Sequence, residues 1–272
     1  MGSVIAGYTT LGSTFSAQSP SKVTHYVRFQ YRDRISYGQL IGNKVFELKG
    51  SIFEPSVRTG QTYRVDEVKL LVPCEPTKIV AAAGNYISHL AGERPKPKNP
   101  EFFFKVPSAL LDPEDKIVIP PGTSQCVFEG ELVIVIGKKA KHISVAEASK
   151  YVFGITCGND VSARDWQKND IQWWRAKGSD TFAPLGPAIA QGLNYDDLML
   201  TTRVNGQVKQ QQRTKDLIFK VDSLVSFASQ FITLYPGDVI YTGTPGRTSA
   251  LQSGDVVEVE IEGIGILKNT VA

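Results

Sequence analysis

The sequence predicts a mainly β protein with a few helices. Short strand-like runs such as Leu132-Val133-Ile134-Val135-Ile136 and Val256 to Ile261 recur along the chain, separated by turn signals. Asn205-Gly206, between Arg203-Val204 and Val208, is the dipeptide favoured by a tight two-residue hairpin, whose central residues need positive φ. One long amphipathic helix stands out, Asp222 to Leu234. It carries Leu224, Val225, Ala228, Phe231 and Ile232 on one stripe, with Pro236-Gly237 beyond its end.

Residues 1–22 are polar and without periodicity, which reads as a mobile arm. Residues 23–72 read as a small β module, with strands over Val23 to Tyr31, Ser36 to Ile41 and Lys44 to Leu48 and a hairpin tip at Gly42-Asn43. Pro73-Cys74-Glu75-Pro76 reads as a hinge, because proline removes backbone donors and interrupts pairing. The remaining residues, 73–272, form the main domain. Within it Lys78 to Ala83 is a compact strand, and Gly92 to Pro100, with three prolines, is a mobile loop suited to be a lid. Val145 to Tyr151 suits a short helix with Ser144 as N-cap and Glu147 as its capping-box partner. Ala188-Ile189-Ala190, Met199 to Val204 and Val239 to Thr242 complete the strands.

Composition excludes several classes. The 272 residues are 42% hydrophobic and 21% charged, and a net charge of +3 is too small and dispersed for a nucleic-acid surface. No apolar run reaches the length of a membrane span, and the first twenty residues lack the basic start and apolar centre of a secretory signal. Cys74, Cys126 and Cys157 form none of the close pairings that zinc or redox motifs need. A cytoplasmic protein with reduced core thiols is expected.

The chemistry centres on Glu129-Gly130-Glu131, which opens the apolar run at Leu132. Alternate strand residues share a face, so both carboxylates project side by side, and the run that follows reads as covered on both faces. Buried paired carboxylates need a cation. Asp160 follows the next apolar stretch, and a helix beginning near it would align Asp160, Arg164 and Gln167 at i, i+4 and i+7. Three carboxylates suit magnesium or manganese, with calcium in the same oxygen-seeking class; zinc would want histidine or cysteine. Taken singly, the glutamates could be an outward pair on an exposed strand and Asp160 a helix cap.

Together these residues resemble the fumarylacetoacetate hydrolase superfamily. The likeness runs through Gly84-Asn85-Tyr86-Ile87-Ser88-His89, Glu129-Gly130-Glu131, Asp160-Val161-Ser162-Ala163-Arg164-Asp165-Trp166-Gln167, Lys177 to Pro187 and Gly237 to Pro245, in order. It implies a mixed β-sandwich roll behind a small N-terminal β module, a homodimer, and a metal site of Glu129, Glu131 and Asp160. It further implies Arg164, Gln167, Lys105 and Thr244 at the substrate, Lys177 at its oxyanion, and His89 activating water with a glutamate. That glutamate stands three residues after the histidine in the family pattern; here position 92 is Gly and Glu93 follows four residues on. A surface lysine at 177 and plain turn chemistry around Thr244 are the structural alternatives.

The expected activity is hydrolysis of a carbon–carbon bond in an acylpyruvate- or fumarylpyruvate-type 2-oxo acid, through an enolate. The same enolate serves a decarboxylase or a tautomerase of oxaloacetate-like or 2-hydroxydiene diacids. A family member that binds without turnover is the third reading.

Overall fold

The computed structural model describes residues 23–90 and 95–272. The expected N-terminal arm and Glu93 lie outside the described residues. The chain opens as an antiparallel meander, β1 (Thr24–Tyr31), β2 (Arg34–Ile41), β3 (Lys44–Lys49) and β4 (Val57–Arg64), and β5 (Lys69–Leu71) returns along β1. Gly42, at φ 60°, turns the β2–β3 hairpin where the sequence places it. Val27, Phe29, Val45 and Tyr63 close a small core under this meander.

The main body follows with β6 (Ile79–Ala83), α1 (Ile87–Leu90), β7 (Glu101–Lys105), β8 (Leu110–Leu111), β9 (Lys116–Ile117), β10 (Cys126–Val127) and β11 (Gly130–Ile136). Next come β12 (Val152–Asn159), β13 (Ser162–Ala163), α2 (Arg164–Asn169), α3 (Trp174–Gly178) and β14 (Ala183–Gln191). The last group is β15 (Met199–Val204), β16 (Gln207–Arg213), α4 (Val221–Phe231), β17 (Val239–Tyr241), β18 (Val256–Ile261) and β19 (Gly265–Val271).

These strands form one 12-stranded mixed sheet, whose main path is β4-β3-β2-β1-β14-β12-β11-β17-β6-β7, and one five-stranded sheet, β16-β15-β18-β19-β9. The first sheet runs unbroken from the N-terminal module into the main body, because Thr24, His25 and Tyr26 of β1 pair with Gln191, Ala190 and Ile189 of β14. The Pro73–Pro76 connector is packed rather than free: Cys74 is fully buried, and burial pushes its thiol up to about 12.

β11 explains the layering. Leu132, Ile134 and Ile136 join Leu200, Val259, Ile261 and the α4 residues Leu224, Val225 and Ala228 in the core beneath the second sheet. Val133 and Val135 point the other way, into a second core with Leu185, Ile189 and Tyr241. Every residue of β11 is buried, as its unbroken apolar run requires, and each such side chain contributes about 1.5–3 kcal/mol of transfer free energy.

Three local expectations are corrected. Asp160 is not on a helix. The chain stays extended through Asn159 because β12 is laddered to β11, and the helix begins at Arg164 after the short strand β13. Residues Val145–Tyr151 form a 3₁₀ helix, and the Ser144 hydroxyl donates to the Glu147 carboxylate (2.9 Å) instead of capping a backbone N–H. In α4 the buried stripe starts at Val221, whereas Phe231, at the last residue of the helix, is exposed and leans on Phe227 with ring centroids 5.2 Å apart.

Gly158 of β12 lies opposite Glu131, and a Cβ there would come within 2.5 Å of both Tyr241 and Val133 side chains. Gly158→Ala is therefore expected to cost about 1–3 kcal/mol by overpacking. Thermal denaturation with a melting temperature several degrees below wild type checks this; an unchanged value contradicts it.

Candidate metal centre

Glu129 and Glu131 flank Gly130 at the start of β11, and Asp160 lies immediately beyond β12, the strand paired to it. Two backbone contacts bring the pieces together. The Asp160 amide donates to the Glu129 carbonyl (2.8 Å), and the Glu129 amide donates to the Asn159 side-chain oxygen (2.9 Å). One carboxylate oxygen from each acid falls within 4.8 Å of the others, and all three residues are buried.

Cations come from three other elements. The Lys177 ammonium, from α3, donates to Glu129 Oε2 and Asp160 Oδ2 (2.6 Å each) and lies 4.8 Å from the centroid of the Phe103 ring. Lys105, at the end of β7, donates to Asp160 Oδ1 (2.5 Å) and the Val161 carbonyl (3.3 Å). Arg164, the first residue of α2, pairs with Glu129 Oε1 and donates a second bond to Gln167 Oε1 (2.6 Å). Ser162 Oγ also donates to Glu129 (3.2 Å).

Glu131 is different. Among the described residues it accepts from the Gly243 amide (2.6 Å) and pairs with no lysine or arginine. Burial, with the Asp160 and Glu129 charges beside it, pushes its carboxyl far above the usual range. Glu129 goes the other way: burial opposes ionisation, but the Lys177 and Arg164 charges outweigh it and hold the group well below that range. For Lys177 burial likewise disfavours the charge, yet Asp160 and Glu129 raise its pKa; for Lys105 burial wins and lowers it. The donor set is all oxygen, and one of its carboxylates is buried with no cation of its own. That fits a hard divalent ion and not a thiophilic one.

A pH dependence follows. Without an ion Glu131 binds a proton far above its ordinary pKa, and an ion must displace that proton to use the carboxylate. Ion affinity is expected to rise with pH until Glu131 ionises unaided, with proton release that calorimetry in buffers of different ionisation enthalpy would detect. Ion-free stability should move oppositely. Its raised pKa means the native state holds the extra proton, so stability declines as pH rises from the unfolded carboxylate range through the folded value. Ion binding without proton release contradicts this.

The remaining residues named from sequence also lie here. His89, in α1, has Nδ1 2.7 Å from the Gly246 carbonyl and Nε2 3.7 Å from Glu129 Oε1. Lys105 is fully buried, its ammonium facing Asp160 rather than an open space. Thr244 is buried too, its hydroxyl donating to the Gly130 carbonyl (2.8 Å) and accepting from Gln210 (2.8 Å). Sequence reading passed over Gln210, because nothing in Gln207 to Arg213 marks which glutamine faces inward. Asn85, quoted in the Gly84 to His89 likeness but given no role there, donates to the Thr242 and Phe219 carbonyls (2.8 and 3.0 Å) beneath α1.

The sequence profile described as "Fumarylacetoacetate (FAA) hydrolase C-terminal" matches residues 78–272, the whole of the body that holds this cluster. The chain belongs to the fumarylacetoacetate hydrolase family. A second profile, "Rv2993c-like, N-terminal", matches residues 24–73. Human mitochondrial oxaloacetate tautomerase is 42% identical over 219 residues, covering 75% of this chain and 70% of that protein. Among solved structures, 5-carboxymethyl-2-hydroxymuconate delta-isomerase from Mycobacterium smegmatis superposes with a TM-score of 0.86 at 39% identity, covering 91% of this chain and 99% of that one. For 2-hydroxyhepta-2,4-diene-1,7-dioate isomerase from Mycobacterium marinum the TM-score is also 0.86 at 39% identity, with coverages of 92% and 98%. Membership of the family makes the chain an enzyme-family protein of mainly β fold. Among the described residues no helix is long and apolar enough to cross a membrane.

Proposed function

We propose that this chain is a divalent-ion-dependent tautomerase or isomerase that interconverts enol and keto forms of 2-oxo diacids. The observation that carries the reading is the buried triad of Glu129, Glu131 and Asp160 set among Lys177, Arg164 and His89. The relatives described as an oxaloacetate tautomerase and as diacid isomerases support this over the hydrolysis that the sequence puts first.

A magnesium or manganese ion held by the three acids supplies Lewis acidity and positive charge where negative charge develops on the substrate. Arg164 and Gln167, one turn apart on α2 and bonded to each other, orient the substrate carboxylate. Lys177 places its ammonium against the enolate oxygen, with the Phe103 ring beside it. A carbonyl can only accept, so the bond to Gly246 puts a proton on His89 Nδ1 and turns Nε2 toward the site. That nitrogen can take the proton from the carbon beside the 2-oxo group and return it there or to oxygen.

The test is enol–keto exchange of oxaloacetate and of 2-hydroxydiene diacids, followed by ultraviolet absorbance and NMR, with magnesium or manganese and with chelator. Chelator-sensitive acceleration is expected; no acceleration across several such diacids removes the reading. Carbon–carbon hydrolysis is the second reading, favoured by the same His89 Nε2, which could serve water instead. Glu93→Gln separates the two. A hydrolase relying on a His89–Glu93 pair should lose about 10²–10⁴-fold in rate, whereas the tautomerase should keep most of its activity.

A further inference from the structure

We propose that Gln210 is a positioning residue that fixes the spacing of Glu129 and Glu131, an inference that rests on the ion-binding reading of that pair. The reason lies in where β11 loses its neighbour. β17 pairs with β11 through Tyr241 opposite Val133, and Thr242 still donates to the Leu132 carbonyl through its amide (3.0 Å) and hydroxyl (2.9 Å). At Gly243, with φ 100°, the chain turns away. Gly130, two residues further back along β11, therefore has no backbone partner among the described residues on that edge for its N–H and C=O.

Two side chains take the place of the missing strand. Gln210 Oε1 accepts from the Gly130 amide (3.1 Å), and Thr244 Oγ1 donates to the Gly130 carbonyl (2.8 Å). The Gln210 amide nitrogen then donates to Thr244 Oγ1 (2.8 Å) and to the Pro245 carbonyl (2.6 Å), closing the ring. Gln210 is buried on β16, so the clamp reaches the acids from the second sheet. Gly130 makes that approach possible: a Cβ there would lie 1.9 Å from Thr202 Oγ1 on β15. The same turn places the Gly243 amide on Glu131 and the Gly246 carbonyl on His89, so holding Thr244 and Pro245 also registers both of those contacts. Methionine at 210 would fill similar volume and leave a buried amide and carbonyl without partners.

The experiment is calorimetric titration of manganese into the full-length protein, with melting temperatures recorded in chelator. Gln210→Met is expected to bind manganese about 10–100-fold more weakly, the range seen when groups supporting metal ligands are removed. Thr244→Val should weaken binding likewise and Thr244→Ser should restore it. Ser229→Ala removes comparable buried hydrogen bonds on α4, remote from the acids, and should lower the melting temperature while binding as wild type. Wild-type affinity in Gln210→Met overturns the proposal, as does equal weakening in Ser229→Ala. If Gln210→Met does not fold, the Thr244 pair decides alone. Wild-type protein that binds no manganese overturns the ion reading itself and this inference with it, whereas binding in wild type undiminished by the substitutions overturns only the inference.

Discussion

Lys177→Met is expected to destabilise the ion-free protein by about 3–5 kcal/mol, the cost of leaving buried charge uncompensated. Its ammonium bridges Glu129 and Asp160 at 2.6 Å to each and is almost completely shielded from water. Removing it takes one of two cationic partners from each of the buried anions, leaving Glu129 with Arg164 and Asp160 with Lys105, while Glu131 holds a proton in the absence of an ion. For a chain of this size the melting temperature in chelator should fall by on the order of 10 °C. Excess magnesium or manganese should recover much of that loss, because a ligand bound only by the native state stabilises it and a divalent cation replaces the missing positive charge. Activity should not recover with it, since the group facing the substrate oxyanion is gone; a loss of about 10²–10³-fold is expected. A melting temperature equal to wild type in chelator would show that Lys177 does not compensate the acids.

Glu131→Gln should separate stability from function in the opposite sense. Glu131 is the acid buried without a cation; burial first, and then the Asp160 and Glu129 charges, push its carboxyl up. A neutral amide of the same shape relieves that repulsion, so the ion-free protein should be at least as stable as wild type above neutral pH. The substitution also removes an anionic oxygen donor from the triad. Ion affinity should drop by more than about 100-fold, beyond the effect of disturbing a supporting group, with tautomerisation falling in parallel. Calorimetry and the exchange assay on one preparation measure both. Undiminished ion binding would take Glu131 out of the ligand set.

The parts of this arrangement legible in the sequence were those with short-range signatures. β11 announces itself by five consecutive apolar residues, the β15–β16 hairpin by Asn205-Gly206, and the paired glutamates by alternation along a strand. Asp160 was legible as a residue but not as a conformation. Local spacing suggested a helix face, and the ladder to β11, a long-range interaction, kept the chain extended instead. Lys105 and Thr244 were visible as chemistry near the site, but burial and hydrogen bonding decide what their polar atoms face, and neither is local in sequence. Gln210 carried no signal at all. It is one of three consecutive glutamines, and only the packing of β16 against Gly130 selects it.

The unbroken sheet joining β1 to β14 has a consequence for any shortened form of the chain. A product starting near Pro73 would strip the partner from Ile189, Ala190 and Gln191 and leave their backbone groups unclaimed beside an apolar surface. Such a border recruits strands from other molecules, and ribbons or precipitate result. The N-terminal module thus covers a stretch of sheet edge that would otherwise be open to pairing with other chains.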